Sequence, residues 1–289
     1  MRMKRQMQAG FTLVEMILVM TITGIIGGMV AVFIKTPVQG YVDSARRAEM
    51  TDIADTALRR LGRDIRTAVP NSVRMPATSC VAAAATPCYV EFIPTKSGGR
   101  YRANTGGNNN ILTFGSGGSN IFDIIGLAIP IVANTDYIVI GSTESNAAPP
   151  YNQTGTGILR LVTAMTNSNT TITFAAPVLP VWAEIQPQRF DVVDGTQRAV
   201  VYGCSGAGVN ANGDGTGTLT RYWNYGFNTP QILPPAGGST AVLADHLSAC
   251  EITYGLVNQR SGLVTIRLGI SRGGEGVNLY HAIHVNNLP

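Results

Sequence analysis

A chain of 289 residues is long enough for one sizeable domain with an anchor, or for two small domains. Charged residues make up 13% of it, about half of the ~25% usual in globular proteins, and this composition suits a β-rich extracytoplasmic protein. The net charge of +4 does not point to a nucleic-acid partner: Arg2, Lys4 and Arg5 all lie in the first ten residues, and without them 18 basic side chains face 17 acidic ones.

In chain order, residues 1–10 carry three cations and no anion, and residues 11–34 are apolar apart from Glu15. Twenty-four such residues in a helix cross a ~30 Å hydrocarbon core. Positive flanks stay cytoplasmic, which sends the rest of the chain outward. The small residues Ala9 and Gly10 come before the apolar run, the reverse of an ordinary secretory signal, so a cut there leaves the hydrophobic helix on the mature chain.

The run Gly10-Phe11-Thr12-Leu13-Val14-Glu15 resembles the prepilin cleavage and methylation motif of the type IV pilin and type II secretion pseudopilin superfamily. The resemblance implies cleavage after Gly10 by a membrane aspartyl prepilin peptidase and N-methylation of Phe11. It also implies that Glu15 pairs with the freed α-amine of a neighbouring subunit during filament assembly. A carboxylate costs about 2.5 to 3.5 kcal/mol at a bilayer centre, less near the helix end, so such a partner gives it a reason to be there. The alternative is an interfacial glutamate whose head reaches water.

Residues 35–69 continue the helix with a changed pattern: Val42, Ala45, Ile53, Ala57, Leu61, Ile65 and Ala68 recur at helical steps among charged residues. Pro70 and Asn71 give the stop signal. Pro37, Gly24, Gly27 and Gly28 are expected to bend or loosen the helix, and small residues on a membrane helix permit close helix contact.

From residue 70 to 289 short β-type runs replace the helical period, at 89–93, 111–114, 137–140, 158–162, 170–174, 190–193, 199–202 and 219–225. Three more, at 251–256, 263–270 and 277–285, read as a closing meander. The fold class expected is α+β, a long N-terminal helix packed on an antiparallel β-rich C-terminal domain. The strand count exceeds that of a minimal pilin, so a second sheet or elaborated loops are expected. Cys80, Cys88, Cys204 and Cys250 read as disulfides suited to an oxidising compartment. The pairing expected is Cys80 with Cys88 and Cys204 with Cys250, with the other two pairings left open by sequence.

Three further patterns carry residue types suited to chemistry. Asn210-x-Asn212-x-Asp214-Gly215 opens like a calcium loop, but the twelfth position is Arg221 where a bidentate glutamate belongs. A turn-rich surface loop is therefore expected, calcium being the alternative and no other cofactor being implied. Trp223, Tyr225 and Phe227 would share one face of a strand and read as core, with Tyr222, Trp223 and Tyr225 as the platform of an adhesin in the alternative. His281 and His284 fall on opposite faces of a strand, which disfavours a metal pair. No catalytic motif is recognised, so an enzyme is not expected.

The function implied is that of a structural subunit. The stretches at 61–74, 190–195, 221–223 and 284–289 look like minor pilins of the mannose-sensitive haemagglutinin (MSHA) pilus. The alternatives are a J-type minor pseudopilin of type II secretion and a pilus-tip adhesin. Partners implied are other pilin and minor pilin subunits, prepilin peptidase and the inner-membrane assembly platform. The localisation implied is a bacterial inner membrane crossed by one helix, with the head in the periplasm and later at the cell surface.

Overall fold

The computed structural model describes residues 11–104, 109–143, 150–154, 157–258 and 261–287. The expected leader, residues 1–10 with Gly10, lies outside them. The protein is α+β: among the described residues one α-helix, α1 (Leu13–Arg66), is followed by thirteen strands that pair antiparallel throughout and one short 3-10 turn, Val181–Ala183. Contacts divide the chain into two units, one ending at Glu49 and the next beginning at Met50.

In the first unit α1 exposes its apolar side chains on all faces, and it is long and apolar enough to cross a membrane. The hydroxyls in this run are satisfied locally. Thr21 donates to Ile17 O at 3.0 Å and Thr23 to Val19 O at 2.7 Å, so neither needs an outside partner. The helix continues through Pro37.

In the second unit the final turns of α1 bury Met50, Ala54, Ala57, Leu58, Leu61 and Ile65, the spacing of one helical face. These side chains form one core with a seven-stranded sheet. Its order is β13 (Glu275–Asn286), β12 (Ser261–Arg272), β11 (Ser239–Asn258), β10 (Gly217–Trp223), β9 (Val200–Ser205) and β2 (Cys88–Phe92), and β1 (Ser79–Ala82) pairs with β11. Gly62 lets the helix pass close to β13: a Cβ there would sit 2.9 Å from His281 Nε2.

Between β2 and β9 the chain leaves this sheet to build a closed six-stranded barrel. It comprises β3 (Thr95–Tyr101), β4 (Ile121–Ile125), β7 (Thr171–Phe174), β6 (Leu159–Thr166), β5 (Tyr137–Val139) and β8 (Arg189–Val193) in that order around the wall. Tyr101, Phe122, Phe174 and Phe190 fill the interior, with Phe122 packed edge to face on Phe190 at 5.4 Å. The two hydrophobic cores are separate clusters, and closing the barrel removes the free edges a second open sheet would have.

The stretch at 111–114 is not a strand. Its backbone is held by individual bonds, such as Leu112 N to Arg102 O at 2.9 Å, rather than by a ladder. The helix ends at Arg66 instead of 69, because Val69 N donates to Ile93 O at 2.8 Å and draws the chain toward the end of β2. Asn71 takes a left-handed φ of 58° and its side-chain amide donates to Ser142 O at 2.8 Å. The stop signal thus also ties the helix end to the barrel.

Candidate functional site

The first residues of α1 hold the processing and assembly positions expected from sequence. Phe11 is exposed and precedes the helix; Glu15 lies in its first turn. Thr12 Oγ1 accepts from Glu15 N at 3.3 Å and Thr12 O accepts from Met16 N at 3.1 Å, so Thr12 is the N-cap. Its hydroxyl occupies one backbone donor left open at the helix start. Thr12-x-x-Glu15 has the capping-box spacing, the one sequence signal of this cap. A carboxylate in the first turn also sits favourably against the positive end of the helix dipole. The helix start is therefore specified locally by two residues next to the expected cleavage point, and the apolar residues that follow are exposed.

The four cysteines form two bonds, Cys80 with Cys88 and Cys204 with Cys250, with Cα separations of 5.5 and 6.3 Å. The first links β1 to β2 and the second links β9 to β11. Cys88 and Cys204 face each other across the β2–β9 ladder, at the end away from the barrel, so both bonds tie together the same end of the sheet.

Asn210 Oδ1 accepts from the backbone of Asn212 at 2.9 Å and Asp214 at 3.0 Å, and Asp214 Oδ1 accepts from Gly273 N at 2.6 Å. These oxygens hold a turn against the β12–β13 hairpin. Arg221, at the twelfth position of that pattern, faces elsewhere: its Nε donates to Asp64 Oδ2 at 3.0 Å, and Tyr202 donates to the same oxygen at 2.7 Å. Burial, then Asp64, pushes the Tyr202 hydroxyl far above its ordinary pKa, which keeps it a donor.

The aromatic run does not stay in one strand. Asn224 and Gly226, with φ of 59° and 104°, end β10 at Trp223. Trp223 packs on the sheet core, whereas Tyr225 and Phe227 pack on the barrel core. The run is a bridge between cores rather than a single face. On β13, Ile283 is buried two residues from His281, toward Gly62, and His284 is exposed one residue further on.

Beside this bridge lies a buried ion pair that sequence gave no means of finding. Arg74 Nε meets Glu91 Oε2 at 2.9 Å, and Tyr225 donates to Glu91 Oε1 at 2.7 Å. The guanidinium also donates to Asn228 O and Thr229 O and lies 3.5 Å from the centre of the Tyr151 ring. Tyr151 in turn donates to Ser72 O at 2.8 Å. Burial first, then Glu91, raises the pKa of both tyrosines. Every charge here is paired and hydrogen-bonded, as burial requires, and the cluster joins residues of sheet, barrel and intervening loops.

Among known families, the model described as the prokaryotic N-terminal methylation motif matches residues 5–31. The match indicates a type IV pilin-like or pseudopilin protein and suggests a structural subunit rather than an enzyme. It implies, in general terms, processing by prepilin peptidase and assembly with other pilins, and with the apolar helix it is consistent with membrane anchoring. No curated protein and no solved structure matches the chain.

Proposed function

We propose that this chain is a minor pilin, cleaved after Gly10 by prepilin peptidase, methylated on Phe11 and drawn into an MSHA-type pilus through its N-terminal helix. The observation that carries this reading is the methylation motif at the start of a helix whose membrane-length part exposes apolar side chains on every face. Lipid satisfies that surface before assembly, and neighbouring helices satisfy it afterwards. Glu15 then meets the α-amine of another subunit in a low-dielectric setting, where such a pair sets register. The large head supports a low-copy role, since a barrel added to the sheet is bulky for a repeating shaft subunit.

A J-type minor pseudopilin of type II secretion is the second reading, because the motif and helix suit it equally. The test compares the parent with Glu15→Val in cells, asking whether the chain is recovered with filaments sheared from the surface. The reading predicts that the parent is recovered and that Glu15→Val is cleaved normally but at least ten-fold depleted. Retention of the parent in the envelope, with loss of secretion in its absence, favours the pseudopilin. Normal incorporation of Glu15→Val removes the charge-pairing argument.

A further inference from the structure

A cleft of about 800 Å³ opens between the end of α1 and the outer wall of the barrel at β3 and β8. Its volume falls in the range of small-molecule sites. Arg66, Lys96, Arg100 and Arg189 line it, against one acid, Asp191. Lys96 is engaged with Asp136 at 2.8 Å. Arg66 is the last residue of α1, where a cation is favoured by the helix dipole alone.

The other two arginines have no such explanation. In the β3–β8 ladder Arg100 stands directly opposite Arg189. Directly opposed residues on one face of an antiparallel pair have Cβ atoms about 4.5 to 5.5 Å apart, and like charges there are destabilising. Both side chains are exposed, and among the described residues neither guanidinium makes a hydrogen bond or a close ion pair. Asp191, two residues along β8, is opposite Gly98 and so lies beside the pair rather than between them. The barrel wall therefore presents two adjacent cationic forks, with Asp191 to one side near Arg189 and no anion between the two.

We propose that this cleft binds an acidic oligosaccharide, with Arg100 and Arg189 gripping one anionic group between them and Arg66 meeting a second. Guanidinium forks match carboxylate and sulfate oxygens bidentately, and an anion between opposed arginines turns their repulsion into attraction. The rest of the lining includes the hydroxyl side chains of Thr67, Thr95 and Ser97, which suit a hydroxylated body. Phe190 is the one aromatic residue in the lining, and it is 2% exposed with its ring packed on Phe122 inside the barrel. The cleft thus offers no aromatic face for a nucleobase. This site goes beyond the structural-subunit reading and does not depend on cleavage after Gly10.

The test is calorimetric titration of the detergent-solubilised full chain with four probes: a heparin-derived sulfated hexasaccharide, hexagalacturonate, neutral cellohexaose and inorganic phosphate. At least one acidic hexasaccharide is expected to bind, more weakly as salt rises, while cellohexaose does not. Arg100→Gln and Arg189→Gln are each expected to weaken that binding ten-fold or more while leaving the unfolding temperature unchanged or higher, because each relieves the repulsion. Arg66→Gln, outside the ladder, tests the second contact and is expected to weaken binding several-fold. The proposal is overturned if neither acidic sugar binds, if cellohexaose binds as well as they do, or if both ladder variants bind like the parent. Phosphate binding as tightly as the hexasaccharides would also overturn it, leaving a simple anion subsite.

Discussion

Asp191 shows how one residue's surroundings become a measurable property. It projects from the outer wall of the barrel, next to Arg189 on its own strand and opposite Gly98 on the neighbouring one, with Lys96, Arg100 and Arg66 lining the same cleft. Burial raises its pKa from 3.8 to about 6, with Arg189 opposing the shift. The sign follows from linkage: a carboxyl whose folded pKa lies above its unfolded value binds more protons when folded. Its ionisation therefore costs stability, not at all below about pH 3.8, increasingly up to pH 6, and fully above that. Asp191→Asn is expected to unfold at a higher temperature than the parent at pH 8, with the advantage shrinking toward zero as the pH is lowered to 4. Paired thermal scans across that range check it, and a pH-independent difference would contradict the burial argument. Nothing in the sequence around Asp191 announced this, because the cause is a strand 93 residues away in the chain.

The elements divide by how local their causes are. The helix was readable because its period repeats within every turn, and its last turns bury the predicted Ala57, Leu61 and Ile65. The closing meander was readable because its strands alternate and adjoin in sequence; burial in β12 follows that alternation through Val264, Ile266 and Leu268. Strand β3, Thr-Lys-Ser-Gly-Gly-Arg-Tyr, carries almost no β signal and was missed. Gly99 is required there because a Cβ would meet Ile129 Cδ1 at 2.5 Å and the Phe190 ring at 2.9 Å, a constraint set by partners remote in sequence. Strand β1 is four residues long, and it is held to β2 by Cys80–Cys88 and to β11 by its ladder. The two disulfides differ in the loop they close, 8 against 46 residues of separation. On the chain-entropy account, replacing Cys204 and Cys250 by alanine costs about 4 kcal/mol and replacing Cys80 and Cys88 about 2.5. Urea unfolding of the two double variants is expected to show that order. The reverse order would mean that the short bond holds β1 in place by more than loop entropy.

At the scale of the whole molecule, the chain combines a helix that cannot stay exposed in water with a head that has two cores of its own. The extra strands expected from sequence became a closed barrel, which no local pattern specifies, since closure depends on β8 pairing with both β3 and β5. The ion pairs and hydrogen bonds that join the parts were equally hidden. Arg74 and Glu91 are 17 residues apart, Tyr225 and Glu91 are 134 apart, and Arg221 reaches Asp64 across 157. The N-terminal pattern was legible because a short linear motif and an apolar run need no partner remote in the chain, and the methylation-motif match to residues 5–31 rests on the same segment. Gly10, Phe11 and Glu15 carry the central claim, that this is a processed pilin-like subunit. The most direct test is the N-terminus of the protein extracted from membranes, read by intact mass and terminal sequencing. A chain beginning at N-methylated Phe11 is the predicted result; retention of Met1, or cleavage anywhere other than after Gly10, would contradict it.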